Sequence, residues 1–551
     1  MLIAILKNVL LVVRNLSRRL LRRPPEYVLL EVSGRLPEFR LREPFFRRLV
    51  ARPRAGVTLE ELRERLERIA ADGRVRGVVL RVRGLQAGWA ALEELRGEIV
   101  RFRERGGRVI AYLVDAGTRD YYLACAADEI LAPPAATVSV TGVRTRVNFL
   151  KDALARFGVE GEVLAVSPYK SAGEVFTRTD FSPEAREQAE RLLDRRYAEL
   201  EEAVVEGRGM SPEEVRQKID GAPYPARRAL REGLLDGLAY EDELPRRLGG
   251  GVSIGEWERA GKALRLPYLP LIRGRVAVVG VTGVIVRGRS RRLPFPLPLL
   301  GDEQAGSESV IGALRRAEQS GSVRGVLLHV DSRGGDALAS DLIWREVERI
   351  RRRKPVVVLM GETAASGGYY VSAGASGIVA RRSTVTGSIG VLIFRPTAVG
   401  LYGRLGVNPV ALERGARSGI MDPARRPGPD ELAALEGSMY AIYSEFKDRV
   451  RRGREIEEGE LEPLAGGRVW TGEEARERGL VDETGGFRAA VRRVAELAGI
   501  PPEAAERNLL HVPPQKKGHP EPGPVEGLLE AAGEVLREPR VWLLAPYELG
   551  E

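Results

Sequence analysis

The chain has 551 residues, 43% apolar and 30% charged, which is too long for one core and ordinary for a globular protein of two or more domains. A single cysteine, Cys125, excludes a disulfide framework and a cysteine-based metal site, and His329, His511 and His519 are too scattered for a histidine-based one. The net charge is +10, with 78 Arg and 9 Lys, but the arginines alternate with Glu, as in "LEELRERLERIA" (59–70), which reads as a solvated surface rather than a nucleic-acid patch.

The first element is basic and amphipathic. "MLIAILKNVLLVVRNLSRRLLRR" (1–23) places Lys7, Arg14 and Arg18 on one helical face and Leu6, Leu10, Val13, Leu16 and Leu20 on another. The uncharged run is too short to span a bilayer, and no small-residue cleavage site follows. Residues 1–27 are therefore expected to lie in a membrane interface; a helix packed on the protein's own surface is the competing reading.

Beyond it the chain repeats. "VRGVVL" (75–80) returns as "VRGVLL" (323–328), an offset of 248. The same offset carries Tyr121–Tyr122 onto Tyr369–Tyr370, "GV" (142–143) onto Gly390–Val391, and "FGV" (157–159) onto "LGV" (405–407). Four matches in one register indicate a tandem duplication: a first α/β repeat over 28–245, a connector over 246–272, and a second repeat over 273–500. In the second copy, strands are expected at 276–286, 323–330, 355–360 and 408–412, and helices at 304–319, 337–352, 366–376 and 429–452. That alternation implies largely parallel, buried strands. "RRLPFPLPLL" (291–300) reads as an apolar rim loop. Residues 501–551 hold a Pro-rich linker, "HVPPQKKGHPEPGPV" (511–525), a helix-like segment near 526–537, and an apolar end, "VWLLAPYEL", suited to packing on the body or touching lipid.

Duplicated halves share a scaffold, so chemistry should lie where they differ. Ser366, in "GETAASGGYY" (361–370), corresponds to Thr118, and "DSRGGDA" (331–337) corresponds to "RGLQAGW" (83–89), which lacks the double glycine. A Gly-Gly turn lets backbone N–H groups face a ligand oxygen, as an oxyanion hole requires. Ser366 opens a helix after a strand, so the Gly367 amide and the helix dipole point the same way. The second copy offers a nucleophile with no base. The first offers Lys170, in "SPYKSAGEVF" (167–176), whose mate in the second copy is Ser418. Arginine cannot lose its proton near neutral pH, whereas a desolvated lysine can.

"AASGGYY", the Gly-Gly turn, "TGSIGV" (386–391) and "YKSAGEVF" together resemble the signal peptide peptidase A (protease IV) family in its long, double-domain bacterial form. The likeness covers roughly residues 70–500. It implies a tandem Clp-protease/crotonase-like spiral fold and a Ser–Lys endopeptidase associated with the bacterial inner membrane. It also implies apolar peptides and cleaved signal peptides as substrates, tetrameric assembly, and no cofactor. Carried over by position, Ser366 is the nucleophile, Lys170 the general base and Ser388 the residue that orients the lysine. Gly335 and Gly367 are the oxyanion donors, with Gly334 supporting the turn. Arg333 stands where the family usually has Pro, and altered substrate preference is expected from it.

Other assignments compete. His329 lies in the apolar run "VLLHV", where a core histidine is the simpler account; Asp331 suits holding the turn; Tyr369 and Tyr370 recur in the copy without the serine and so suit packing. A crotonase-like thioester enzyme would need no Lys170, and a non-catalytic membrane scaffold would need neither side chain. No GxxxxGK[ST] loop is present, so an ATPase is not expected.

Overall fold

The computed structural model describes residues 2–39, 57–272, 274–297, 301–513 and 541–545. The chain divides into two compact units, Met1–Arg144 with Leu193–Arg273, and Thr145–Leu192 with Gly274–Glu551. The stretch 145–192, which lies inside the first repeat by sequence, groups with the second unit.

Each unit is built on one eight-stranded sheet. In the first the order is Tyr224–Pro225, Thr137–Ser139, Arg108–Gly117, Gly77–Leu85, Tyr27–Gly34, Ile254–Glu256; Glu129–Ala132 also pairs with Arg108–Gly117, and Gly237–Leu238 pairs beyond it. In the second it is Val469–Thr471, Val385–Gly387, Val356–Ala365, Val323–Ser332, Arg275–Thr282, Leu509–His511, with Gly377–Ala380 and Glu483–Thr484 in the equivalent side branch. The two sheets match strand for strand, so the 248-residue offset is a repeated topology. Their central strands are parallel. Such strands are covered on both faces, which is why "VVVLM" (356–360) is an unbroken apolar run and wholly buried.

The second unit holds an additional seven-stranded sheet, ordered Arg291–Leu297, Gly301–Gly306, Val284–Val286, Gly334–Asp336, Val541–Leu544, Leu392–Thr397, Glu160–Ala165. Two expectations change here, and one left open is decided. Residues 291–297 form an edge strand instead of a loop, a position where Pro294 and Pro296 remove no needed ladder donor. The expected strand at 408–412 is absent: that stretch is extended coil with Val410 and Leu412 exposed. Its apolar residues had only a short alternation in their favour and find no partner strand. The apolar end packs on the body as the strand Val541–Leu544. The helix-like segment near 526–537 lies outside the described residues.

The N-terminal helix, Leu2–Leu21, packs on the protein's own surface, the competing reading of its sequence. Its polar side is laid on the chain's own connector: the Asn8 amide donates to the Leu269 carbonyl (2.9 Å) and accepts from the Leu269 amide (2.8 Å), and Asn15 does the same with Leu266 (3.0 and 2.8 Å). Arg18 adds a bond to the Leu264 carbonyl at 2.6 Å. Leu6, Leu10, Val13, Leu16 and Leu20 are left exposed. Among the described residues no helix is long and apolar enough to cross a membrane.

The first unit also buries a charge cluster. The Arg63 guanidinium meets Glu38 (2.9 Å), Glu94 (3.0 Å) and Glu98 (3.6 Å), all nearly inaccessible. Removing the cation would strand three buried carboxylates. Arg63→Ala is expected to lower the unfolding free energy by roughly 3–5 kcal/mol, read from urea denaturation; a loss under about 1 kcal/mol, as for a surface pair, would show that the cluster is hydrated.

Candidate active site

Ser366 stands at the junction of the strand Val356–Ala365 and the helix Gly367–Ala373. Its backbone is unusual: φ is 54°, a region L-residues rarely occupy. Only three non-glycine residues among those described have positive φ: Ser366, Ser388 and Glu455. Glu455 ends a helix, where a left-handed residue is common. The other two lie in the site, so strain is concentrated where the chemistry is expected. The Ser366 amide donates to the Gly387 carbonyl at 2.8 Å, which fixes the turn, and the side chain is fully buried.

Lys170 arrives from the stretch 145–192. The strand Glu160–Ala165 pairs antiparallel with Leu392–Thr397, and the Ser167 hydroxyl donates to the Gly466 carbonyl. The Gln188 amide donates to the Tyr169 carbonyl (3.1 Å) while its oxygen accepts from the Val469 amide (2.9 Å), clamping the segment from the other side. Gly467, at φ +84°, lets the chain pass against the lysine backbone, since a Cβ there would stand 2.7 Å from Lys170 N, Cα and Cβ.

The amine ends in a sealed pocket. Lys170 Nζ lies 2.6 Å from Ser366 Oγ, 2.9 Å from the Ser388 carbonyl oxygen and 3.0 Å from Ser388 Oγ. Burial holds its pKa well below the usual lysine range. A neutral amine has two N–H donors and one lone pair. The Ser388 carbonyl can only accept, and Ser388 Oγ takes the second N–H. The lone pair is then left for the Ser366 hydroxyl. An ammonium in this pocket would have no lone pair to offer.

Two backbone segments cross beside the serine. A Cβ built on Gly367 would be 3.0 Å from Gly335 N and 3.0 Å from Gly334 Cα, so side chains at this crossing are excluded. Gly334 takes φ +107° and its amide donates to Ser332 Oγ (3.1 Å), which fixes the turn ahead of Gly335. Asp336 anchors the turn by capping the following helix through the Ala339 amide at 2.8 Å. All six residues singled out from the sequence, Ser366, Lys170, Ser388, Gly334, Gly335 and Gly367, thus meet in one place within one unit.

Other residues stand apart. His329 sits mid-strand, paired with Gly280 and Leu359, whereas the Ser366 hydroxyl has Lys170 and the Gly390 carbonyl (3.5 Å) as partners. The Asp331 carboxylate accepts from the Thr363 amide (3.1 Å), and burial lifts its pKa to about 6. Tyr369 donates to the Leu480 carbonyl (2.8 Å) as Tyr121 does to Leu234 (2.9 Å), the same packing bond in each repeat. Gly467, Gln188 and the Gly390 carbonyl were not found from the sequence. Only the double glycine of "LAGGRVW" (464–470) signalled a close approach there. Among the described residues no His, Cys, Asp and Glu group could hold a metal ion.

The first unit shows the same junction without the chemistry. Thr118 donates to the Gly142 carbonyl at 2.9 Å, the counterpart of Ser366 and Gly390. The Asp120 carboxylate fills the turn instead, accepting from the Leu85 (3.0 Å) and Gly117 (2.9 Å) amides.

Two outcomes follow from this packing. Gly467→Ala should cut peptidase turnover at least about 100-fold by displacing the lysine, since a 1 Å misplacement alone can cost that much; near-native turnover would mean the lysine's path tolerates a side chain. Lys170→Met should raise thermal stability, most of all in acid. The unfolded chain binds a proton that the folded lysine must shed, so this cost is largest below the folded pKa and disappears as pH approaches the usual lysine value. A stability gain that grew with pH would contradict the neutral amine.

The Peptidase family S49 model matches residues 101–254 and 348–501, one stretch in each repeat. The chain is 33% identical over 477 residues to the chloroplastic serine protease SPPA of Arabidopsis thaliana, covering 85% of this chain and 70% of that protein. It is 31% identical over 448 residues to Protease 4 of Haemophilus influenzae, covering 77% and 71%. A mutant ClpP1 from Listeria monocytogenes matches at 14% identity over 39% of this chain and 93% of that one, with a TM-score of 0.25, too slight a likeness to bear on the site. With a family match in both copies and relatives aligned over most of their length, this chain belongs to peptidase family S49, as a tandem-repeat member related to the Protease 4 and SPPA proteases.

Proposed function

We propose that the protein is a serine endopeptidase working through a Ser366–Lys170 dyad. The observation that carries this is the 2.6 Å approach of a buried, proton-poor amine to a strained serine hydroxyl. Neutral Lys170 accepts the Ser366 proton as Oγ attacks a peptide carbonyl. The Gly335 and Gly367 amides stabilise the resulting oxyanion, each worth roughly 3–4 kcal/mol. Protonated Lys170 then delivers the proton to the leaving amine, and water repeats the sequence on the acyl-enzyme. Ser388 positions the amine through two contacts, a role that a carboxylate fills in a Ser–His–Asp triad.

The substrate class belongs to the same proposal. Cleaved signal peptides and other apolar peptides, bound extended along a strand edge, fit the apolar surroundings of the Gly334–Gly335 strand. The exposed apolar face of Leu2–Leu21 suits peripheral attachment to the bacterial inner membrane, with the polar side already engaged by the connector. Assembly as a homotetramer remains part of this proposal through the family resemblance alone.

Substitution separates the roles. Lys170→Arg and Lys170→Ala should be equally inactive on an apolar reporter peptide, because an arginine carries charge but no titratable lone pair; near-native turnover by the Arg variant would remove Lys170 as the base. In the wild type, kcat/KM should rise with pH as Lys170 deprotonates, with its acid limb well below the usual lysine range. A fluorophosphonate should label Ser366, and absence of labelling above that limb would favour thioester chemistry.

A further inference from the structure

The lysine arm reaches the site along one ladder between two strands. Glu160–Ala165 pairs antiparallel with Leu392–Thr397, and the pairing runs on through the Val166 amide, which donates to the Val391 carbonyl at 3.2 Å. Lys170 stands four residues past Val166, and Ser388, which takes the amine's hydrogens, stands three residues before Val391. The register of this ladder therefore decides whether the amine and its partner meet. Burial specifies that register weakly: Glu160 is exposed, the other five residues of its strand are only half-buried, and Gly161 has no side chain to choose a face.

One side chain holds the pairing in place. Arg395, opposite Glu162 in the ladder, is 2% exposed, and each of its five N–H groups has an acceptor. Nη1 donates to Glu162 Oε2 (2.9 Å) and Thr397 Oγ1 (2.7 Å), Nε to the Ile420 carbonyl (3.1 Å), and Nη2 to the carbonyls of Asp422 and Arg425 (2.5 Å each). At the 248-residue offset, 420–425 corresponds to 172–177, just past Lys170, so the guanidinium ties the lysine arm to that arm's own counterpart. The counterpart is itself anchored. Arg425 pairs with Glu431 (2.5 Å), whose carboxylate accepts from the Gly428 amide (2.9 Å) at the start of the helix Pro429–Arg454. That helix packs on the helix that Ser366 opens, with the Phe446 and Tyr370 ring centres 4.6 Å apart. Arg395 and Glu162 have Val147 and Val410 as repeat mates, so the duplicate positions carry no such ion pair.

We propose that Arg395 is a positioning residue for the reaction: it fixes the register of the lysine arm, and through it the approach of Lys170 to Ser388 and Ser366. This rests on the reading of Lys170 as the general base. A slip of one residue would turn Glu162 to the opposite face of its strand and leave a buried guanidinium without the carboxylate it pairs with, so the native register is the one that closes the network. Lysine cannot take this place, because a single ammonium with three donors cannot span five acceptors on three chain segments.

The test compares the full-length Arg395→Lys variant with wild type on an apolar reporter peptide. The variant's kcat should fall about 100-fold with KM unchanged, since the amine is displaced and the peptide's own contacts are not. The acid limb of kcat/KM should move to higher pH, because a lysine drawn out of its dry pocket holds its proton more firmly. Glu162→Val, which keeps strand propensity, should show both changes at smaller amplitude and carries the test if Arg395→Lys does not fold. In Ser366→Ala protein, adding Arg395→Lys should speed hydrogen exchange at the Val166 amide, a measurement that needs no catalysis. Near-native kcat in folded Arg395→Lys, or in Glu162→Val where the first variant does not fold, would overturn the proposal. So would unchanged exchange at Val166, and so would a lowered kcat with the acid limb unmoved, which would reduce Arg395 to structural support. Failure of Lys170 as the base would appear separately, as full activity in Lys170→Arg, and would leave the exchange result as it is.

Discussion

A lysine amine buried against a serine hydroxyl is the constraint around which the site of the second unit is arranged. Burial lowers the amine's hold on its extra proton, yet a buried amine still needs partners for its hydrogens. Ser388 supplies both, with a carbonyl and a hydroxyl at 2.9 and 3.0 Å. Holding those partners in place costs backbone strain of about 1–3 kcal/mol at each positive-φ serine. The surrounding core offsets this: the strands that end at the site, Val356–Ala365 and Val385–Gly387, are completely or almost completely buried. Rigid strands set the positions, and the glycines at 334, 367 and 467 let three chain segments cross without side chains between them.

The duplication explains how such a site is affordable. Both units share one sheet order, so the scaffold does not depend on the chemistry. In the first unit the equivalent junction is closed by Asp120 on two backbone amides, and Thr118 keeps only the carbonyl contact of its counterpart. That copy has a carboxylate-locked turn where the second copy has the Gly334–Gly335 crossing. The additional seven-stranded sheet is described only in the copy with the serine, and it joins the strand before the lysine, the Gly-Gly strand and the C-terminal strand in one sheet.

Much of this was legible in the sequence, for identifiable reasons. The buried parallel strands announce themselves as apolar runs, and the repeat offset predicts one topology used twice. Lys170 was visible because lysine is rare here and its mate in the second copy is Ser418. What escaped is non-local. Nothing near residues 160–165 shows that this strand will pair with 392–397, so the lysine's unit could not be read from its place in the repeat. Gly467 and Gln188 matter only through segments far away in sequence. Val410 and Leu412 looked like strand because alternation in five residues carries little information without a partner to pair with. The apolar end, open between lipid and body, was settled by pairing with two strands distant in sequence, Gly334–Asp336 and Leu392–Thr397.

The placement of residues 145–192 has a consequence for how the protein can be divided. A gene split at the connector, where the repeat itself suggests a seam, would yield a downstream product with Ser366 and without Lys170, and an upstream product carrying the lysine segment detached from the sheet that receives it. The two side chains would then lie on different polypeptides, and their approach would depend on the products reassociating.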